Sequence, residues 1–210
     1  MATLRKSSAY SKTIERPYTR KSKKKSKSFI KAVPAQGIVK FNMGNQKIFD
    51  KNNFPFVLNM VTTENIQIRS NALEACRQYI NKKLEQAYPG QYYYKIPSYP
   101  HHIQRENKML TAAGADRMST GMQLSFGRAI ARAAMLKKGD TVFLVATSTK
   151  KADAFARNTL KTIKAKLPCK TSIIGEELKV KSWEIINHKY FFYVLFQEYK
   201  LLSSLDLCLI

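Results

Sequence analysis

The sequence predicts an α+β fold, a two-layer arrangement in which a mixed β-sheet carries two helices on one face. Two amphipathic helical stripes predict it, together with short β-branched and aromatic runs around them, in the order β-β-α-β-loop-β-β-α-β. Hydrophobic residues make up 44% of the 210-residue chain and are spread over most of it after residue 28, enough for one ordinary core with tails. The expected organisation is a basic N-terminal extension over residues 1–31, a single α+β domain over 32–175 and a C-terminal extension over 176–210.

Ile38, Val39, Lys40 and Phe41 read as a short strand before turn residues 42–45. Residues 54–69 alternate through Phe56, Leu58, Met60, Ile66 and Ile68, a strand bent or broken near Thr62-Thr63-Glu64. Ser70 offers an N-cap, and Leu73, Cys76, Ile80, Leu84 and Ala87 recur at helical steps until Pro89-Gly90 stops them. The Tyr-rich residues 91–99 form a strand that Pro97 and Pro100 confine to an edge or end early. Residues 128–136 and 141–147 read as two further strands across a Lys137-Lys138-Gly139-Asp140 turn, the second being the clearest buried strand of the chain. Thr149 then caps a helix with Ala152, Phe155, Ala156, Leu160, Ile163 and Leu167 on its buried side, ended by Pro168, and residues 171–174 close the domain as a strand. The apolar segments 190–196 and 201–210 have no role that the sequence assigns.

Charge names a partner before any motif does. Lys and Arg number 37 against 14 Asp and Glu, a net charge of +23, and a compact state so charged repels itself unless a polyanion neutralises it. The first 31 residues hold 11 of these cations and one acid, Glu15, and on composition they are expected to be disordered until an anion holds them. The bland alternative is a solvated tail that aids solubility. A membrane surface is disfavoured, because no basic amphipathic helix or lipidation signal is evident and the apolar run 190–196 is too short to span a bilayer. The first residues lack the apolar core of a secretory signal, so a cytoplasmic location is expected. Cys76, Cys169 and Cys208 are far apart with no Cys-x-x-Cys pair, and read as reduced thiols.

From Lys95 to Lys138, both included, there are eight Lys/Arg and two acids in a stretch poor in apolar periodicity, punctuated by Gly114, Gly121 and Gly127. Long loops survive in compact domains mainly when they act. Glycine lets backbone amides approach phosphates, and Arg supplies a planar fork for phosphate or stacks on a base. The glycine spacing is no dinucleotide fingerprint, and no Gly-Lys-Ser/Thr follows.

Residues 16–175 resemble the archaeal and eukaryotic large-subunit ribosomal protein family L-ten-e, whose bacterial relative is L-sixteen. The matching pieces, in the family's order, are Arg16-Pro17-Tyr18-Thr19-Arg20, Val39-Lys40-Phe41-Asn42-Met43-Gly44, the stretch from Pro100-His101-His102 to Asn107-Lys108, Gly114-Ala115-Asp116-Arg117, Gly121-Met122 and Phe126-Gly127. The N-terminal pieces lean toward archaeal members. The resemblance implies a mixed sheet with two helices, docked on ribosomal RNA between the central protuberance and the stalk base, beside neighbouring ribosomal proteins. It implies that the loop 112–126 reaches toward the peptidyl transferase centre and the acceptor arms of tRNA, shaping the site of aminoacyl-tRNA accommodation and supporting late subunit maturation, while peptide-bond chemistry belongs to the RNA. The Lys/Ser tract at 21–28 is more basic than the family requires, and the segment beyond about Glu176 has no counterpart in it.

The expected RNA contacts are Arg16, Arg20, Lys21, Lys23, Lys24, Lys25, Lys40, His101, His102, Arg105, Lys108, Arg117, Arg128 and Arg132. The tRNA-proximal loop is Gly114, Ala115, Asp116, Arg117, Met118, Ser119, Thr120, Gly121 and Met122. His101-His102 as metal ligands lack a third donor at convincing spacing, so packing or stacking on RNA is the better reading. Asp116 lacks the second carboxylate or nearby His that acid-base catalysis needs, and reads as a turn former or a partner of Arg117. Met109, Met118 and Met122 suit an adaptable contact or a core gap equally. Arg69, Arg77, Lys161 and Lys164 read as solvated, and Tyr92-Tyr93-Tyr94 as half core and half surface rather than a base-stacking run. No cofactor, metal, membrane or small-molecule substrate is expected. An RNA-modifying enzyme would need a reactive site that is not found, and a DNA-compacting protein would rest on the N-terminal arm alone.

Overall fold

The computed structural model describes residues 7–12, 16–21, 24–27, 30, 32–106 and 127–178. The fold is α+β, as expected. Among the described residues the strands are β1 (Asn42–Gly44), β2 (Phe56–Thr62), β3 (Ile66–Arg69), β4 (Tyr92–Lys95), β5 (His102–Glu106), β6 (Arg128–Leu136), β7 (Thr141–Thr147) and β8 (Thr171–Glu177). The α-helices are α1 (Gln46–Asp50), α2 (Ser70–Ala87) and α3 (Lys150–Ile163).

The single sheet expected from the sequence is divided. Five strands run in the order β1-β4-β7-β2-β8 and three in the order β3-β6-β5, and every ladder is antiparallel. The break foreseen near Thr62-Thr63-Glu64 is the corner between them: β2 pairs with β7 and β3 with β6, so one long two-stranded ribbon bends from the first sheet into the second. Its corner is pinned at the 137–140 turn. Thr62 donates through Oγ1 to the Lys137 carbonyl (2.7 Å), its own carbonyl accepts from Gly139 N–H (2.8 Å), and Lys138 N–H donates to Asn65 Oδ1 (2.8 Å).

The main core lies where α2 and α3 meet both sheets. The α2 stripe Leu73, Cys76, Ile80 and Leu84 and the α3 stripe Ala156, Leu160 and Ile163 pack on Leu58, Met60, Tyr92, Tyr94, Phe143 and Val145, with Ile66, Ile68, Ala134 and Leu136 from the smaller sheet. Each such Leu or Ile contributes about 1.5–3 kcal/mol by leaving water. Burial pushes the Cys76 thiol up to about 11, and Cys169 likewise, so both stay protonated.

Helix α3 starts as expected, with Thr149 Oγ1 accepting from Ala152 N–H at 3.3 Å. Ser70, in contrast, is the first residue of α2 and not its cap; Arg69 holds the extended cap position without a side-chain bond to the helix end. Pairing near residue 40 also begins later than expected. Ile38 turns into the core while the Val39 N–H is taken by Glu74 Oε2 (3.3 Å), so the ladder opens at Asn42, within the residues read as a turn. The reversal comes at Gly44, with φ +81°, and Asn45 caps the short helix α1 that the sequence did not announce.

That helix explains Tyr92-Tyr93-Tyr94. Tyr92 and Tyr94 enter the main core, but Tyr93, on the opposite face, is also buried, stacked on Phe49 of α1 at 4.4 Å and packed with Phe54, Val57 and Ala146. The run is therefore core on both faces, and β4 is internal and not an edge, since β1 lies outside it. Strand β8 extends to Glu177, beyond the expected 174.

Candidate nucleic-acid interface

The three-stranded sheet positions the residues of interest. Its Ile66/Ile68 face enters the core, so alternation puts Gln67 and Arg69 on the other face, where His102 and Gln104 of β5 join them. The chain's own N-terminal arm lies on this polar face. Ser11 O accepts from Gln67 N–H (3.0 Å), and Tyr10 O from Gln104 Nε2 (3.3 Å). Gln104 Nε2 also reaches Gln67 Oε1 (3.2 Å), while its Oε1 accepts from Arg69 Nε (2.9 Å). The Arg69 guanidinium sits 4.3 Å from the centre of the Tyr10 ring and that of Arg105 4.1 Å from the Tyr18 ring, cation–π contacts that hold the arm at two points.

These contacts revise one expectation, that for Arg69, and show how the described parts of the arm are held. The composition of 1–31 offers little to bury, yet Tyr10 and Tyr18 anchor its described parts through ring faces and backbone bonds, which a count of charges undervalues. Arg69, read as solvated, is 7% exposed, with an amide oxygen and an aromatic face as partners. Arg77 is likewise half-buried and bidentate to Glu74 (2.7 Å on both nitrogens), which holds the Glu74 carboxyl below its ordinary value. Lys161 is exposed and Lys164 half-buried.

His102 was expected to touch RNA, but it is 3% exposed and its Nδ1 accepts the Tyr18 N–H at 2.8 Å, while Tyr18 O accepts from Ile103 N–H (3.1 Å). A ring so enclosed organises the arm. Burial first, then His101 and Arg105, hold its pKa below the ordinary 6.5. Because the folded value is depressed, the contribution of His102 to stability is full above pH 6.5 and is lost as pH falls through the folded value. His102→Ala, which leaves the Tyr18 N–H without its acceptor, is expected to cost about 1–3 kcal/mol in urea unfolding at pH 7.5 and to flatten the loss of stability between pH 7 and 5. An unaltered pH profile in the variant would remove His102 from this role.

Of the other expected contacts, Arg16, Arg20, Lys21, Lys24, Lys40 and Arg128 are exposed, and His101, Arg105 and Arg132 half-buried. Arg20 Nε donates to Lys27 O (3.2 Å) within the arm, and Arg132 Nε to Pro34 O (2.8 Å) just beyond it. Lys25 opens a 3-10 turn, Lys25–Lys27, of which the backbone is described. Tyr18, which meets Arg105 and Ile103 of β5, lies in the chain between Arg16 and Arg20. Lys23, Lys108, Arg117 and the loop residues 114–122 lie outside the described residues, between the ends of β5 and β6 in the case of the loop. Sequence reading missed Tyr10, Gln67 and Gln104. The alternation of Gln67 and Arg69 with Ile66 and Ile68 signalled a polar sheet face, but nothing local said what covers it. Among the described residues no group of three or more His, Cys, Asp or Glu converges, and no helix is long and apolar enough to cross a membrane.

The family model for ribosomal protein L16p/L10e matches residues 15–174. Similar curated proteins are the large ribosomal subunit protein uL16 of Thermofilum pendens, 41% identical over 77% of this chain and 90% of its own length, and that of Methanoculleus marisnigri, 40% identical over 80% and 92%. The uL16 protein of Archaeoglobus fulgidus is 38% identical over 78% of this chain and 88% of its own length. The matched span begins within the arm and ends within β8, taking in both sheets and the polar face on which the arm lies; the chain belongs to the ribosomal protein L16p/L10e family.

Proposed function

We propose that this chain is a structural constituent of the large ribosomal subunit that binds ribosomal RNA, lies among neighbouring ribosomal proteins and helps shape the region where aminoacyl-tRNA is accommodated. The role is structural and not enzymatic. The observation that carries the reading is the charge balance joined to family membership: even with every carboxylate paired, a net charge of +23 leaves 23 cations whose counter-charges must come from outside the chain. Arg16, Arg20, Lys21, Lys24, Lys40 and Arg128 are exposed and suit a phosphate backbone, while His101, Arg105 and Arg132 are half-buried. The loop 114–122, with Lys23, Lys25, Lys108 and Arg117, completes the proposed RNA and tRNA contacts. The proposed contacts no longer include His102.

The chain is expected to travel with large-subunit particles through a sucrose gradient in moderate salt, and its appearance in the top fractions instead would overturn the reading. Arg117→Ala separates the loop from the fold. It should leave urea unfolding of the free protein within about 0.5 kcal/mol, and reduce the salt slope of RNA binding by about one contact, while slowing tRNA accommodation or subunit maturation. Clear unfolding of the free variant would make Arg117 structural.

A further inference from the structure

We propose that Tyr99 is a stacking platform for an unpaired nucleobase of RNA, a reading that rests on the RNA-binding role above. In the extended segment after β4, Ile96, Ser98 and Pro100 point inward and are buried, whereas Lys95, Pro97 and Tyr99 point outward and are exposed. A tyrosine 51% exposed contributes little to the core, and its polar neighbours do not cover it.

The backbone that presents this ring is held on both sides. Pro97 and Pro100 fix φ, the Ile96 N–H donates to Phe41 O (2.9 Å), and Ser98 Oγ donates to the buried Val142 carbonyl (3.3 Å). The Phe41 ring backs the Tyr99 ring at 5.5 Å and 33°. Phe41 is itself braced, because Val39, two residues before it, is tied through its N–H to Glu74. A preorganised ring with two rotatable bonds loses little entropy when a planar partner settles on it.

The surroundings select a nucleotide over an apolar protein side chain. Lys40, next to Phe41 in the chain, and Lys95, next to the Ile96 whose N–H bonds the Phe41 carbonyl, are both exposed and supply positive charge for the phosphates that flank a splayed base. His101 Nδ1 lies 3.0 Å from the Tyr99 carbonyl, which can only accept, so Nδ1 carries the proton and Nε2 is left to accept from a ribose 2′-hydroxyl. Val39, two residues before Phe41 and 73% exposed, adds apolar surface to the same segment. Ring, cations and acceptor are the groups that single-stranded RNA recognition uses.

Particles assembled from 4-thiouridine-substituted large-subunit RNA and this chain, irradiated and digested with trypsin, test the assignment by mass spectrometry. A nucleotide adduct on Tyr99, within the peptide 96–105, is the expected result. Adducts elsewhere on the chain with none on Tyr99 overturn the platform and leave RNA binding standing, whereas no adduct anywhere removes the RNA-binding reading itself. In the same particles Tyr99→Ala should weaken retention roughly 5- to 100-fold, with Tyr99→Phe within about 3-fold of the parent. Equal losses in the two variants, or no loss in either, count against stacking. Contact with an apolar residue of a neighbouring protein, seen as a protein–protein crosslink at Tyr99 in place of the RNA adduct, does so too.

Discussion

Raising the salt from about 50 to about 200 mM is expected to weaken the binding of this chain to large-subunit RNA by roughly 10³- to 10⁵-fold, the loss carried by about six to ten phosphate contacts. The excess of 37 cations over 14 acids supplies more than enough groups for that number. Each neutralised phosphate releases condensed counterions, so log affinity should fall along log salt with a slope of roughly −5 to −9. Filter binding or anisotropy across a salt series measures it. A slope shallower than about −2 would mean that the basic surface does not track a backbone, and the proposed role would lose its physical basis. Reading of individual bases, in contrast, should show weak salt dependence, which separates Tyr99 from Lys40 in the same titration.

Gly44→Ala is expected to cost about 3 kcal/mol or more in urea unfolding. At φ +81° the backbone is in the left-handed region, and a Cβ there would stand 2.3 Å from the Tyr92 carbonyl oxygen. The same carbonyl accepts from the Asn45 N–H at 2.9 Å, so relieving the clash breaks the bond that leads the chain into α1. The consequence should spread to Tyr93, whose ring stacks on Phe49 of that helix. Gly139→Ala is the control. Its φ is +93° but nothing lies within 4 Å of its Cβ position, so the dihedral cost of about 1–2 kcal/mol stands alone there. Equal losses in the two variants would show that the approach of Tyr92 to Gly44 does not matter to stability.

The helices were legible because each signal was local. Leu73, Cys76, Ile80 and Leu84 keep helical spacing whatever they pack against, and the Thr149 cap needs only its own next turn. The division into two sheets was not legible, since a break at Thr62-Thr63-Glu64 looks alike whether the strand re-enters the same sheet or leaves it. Residues 102–106 read as the opening of a loop because their polarity, His102, Gln104 and Arg105, suits solvent; it is the arm, from more than 80 residues away, that makes this face internal. Arg69 was misjudged for the same reason. A lone Arg at the end of a strand carries no mark of the tyrosine that will cover it.

The candidate site divides along the same line. Exposed cations such as Arg16, Lys21 and Lys40 follow from composition and needed no tertiary information, whereas the enclosure of His102 depends on the Tyr18 amide and could not be read from a His-His pair. Tyr99 stood in plain view in the sequence beside those histidines. What marks it is a tertiary fact, the burial of its neighbours Ser98 and Pro100 while the ring itself faces outward.

The arm's seat also sets a timetable for the chain as it is made. The Tyr18 amide awaits a histidine 84 positions downstream, and the Tyr10 carbonyl a glutamine 94 downstream, so both are made well before the partners that seat them. Until β5 emerges, the cationic arm has no seat on the domain and is open to any anion it meets; from then on, part of it is claimed by the protein's own surface.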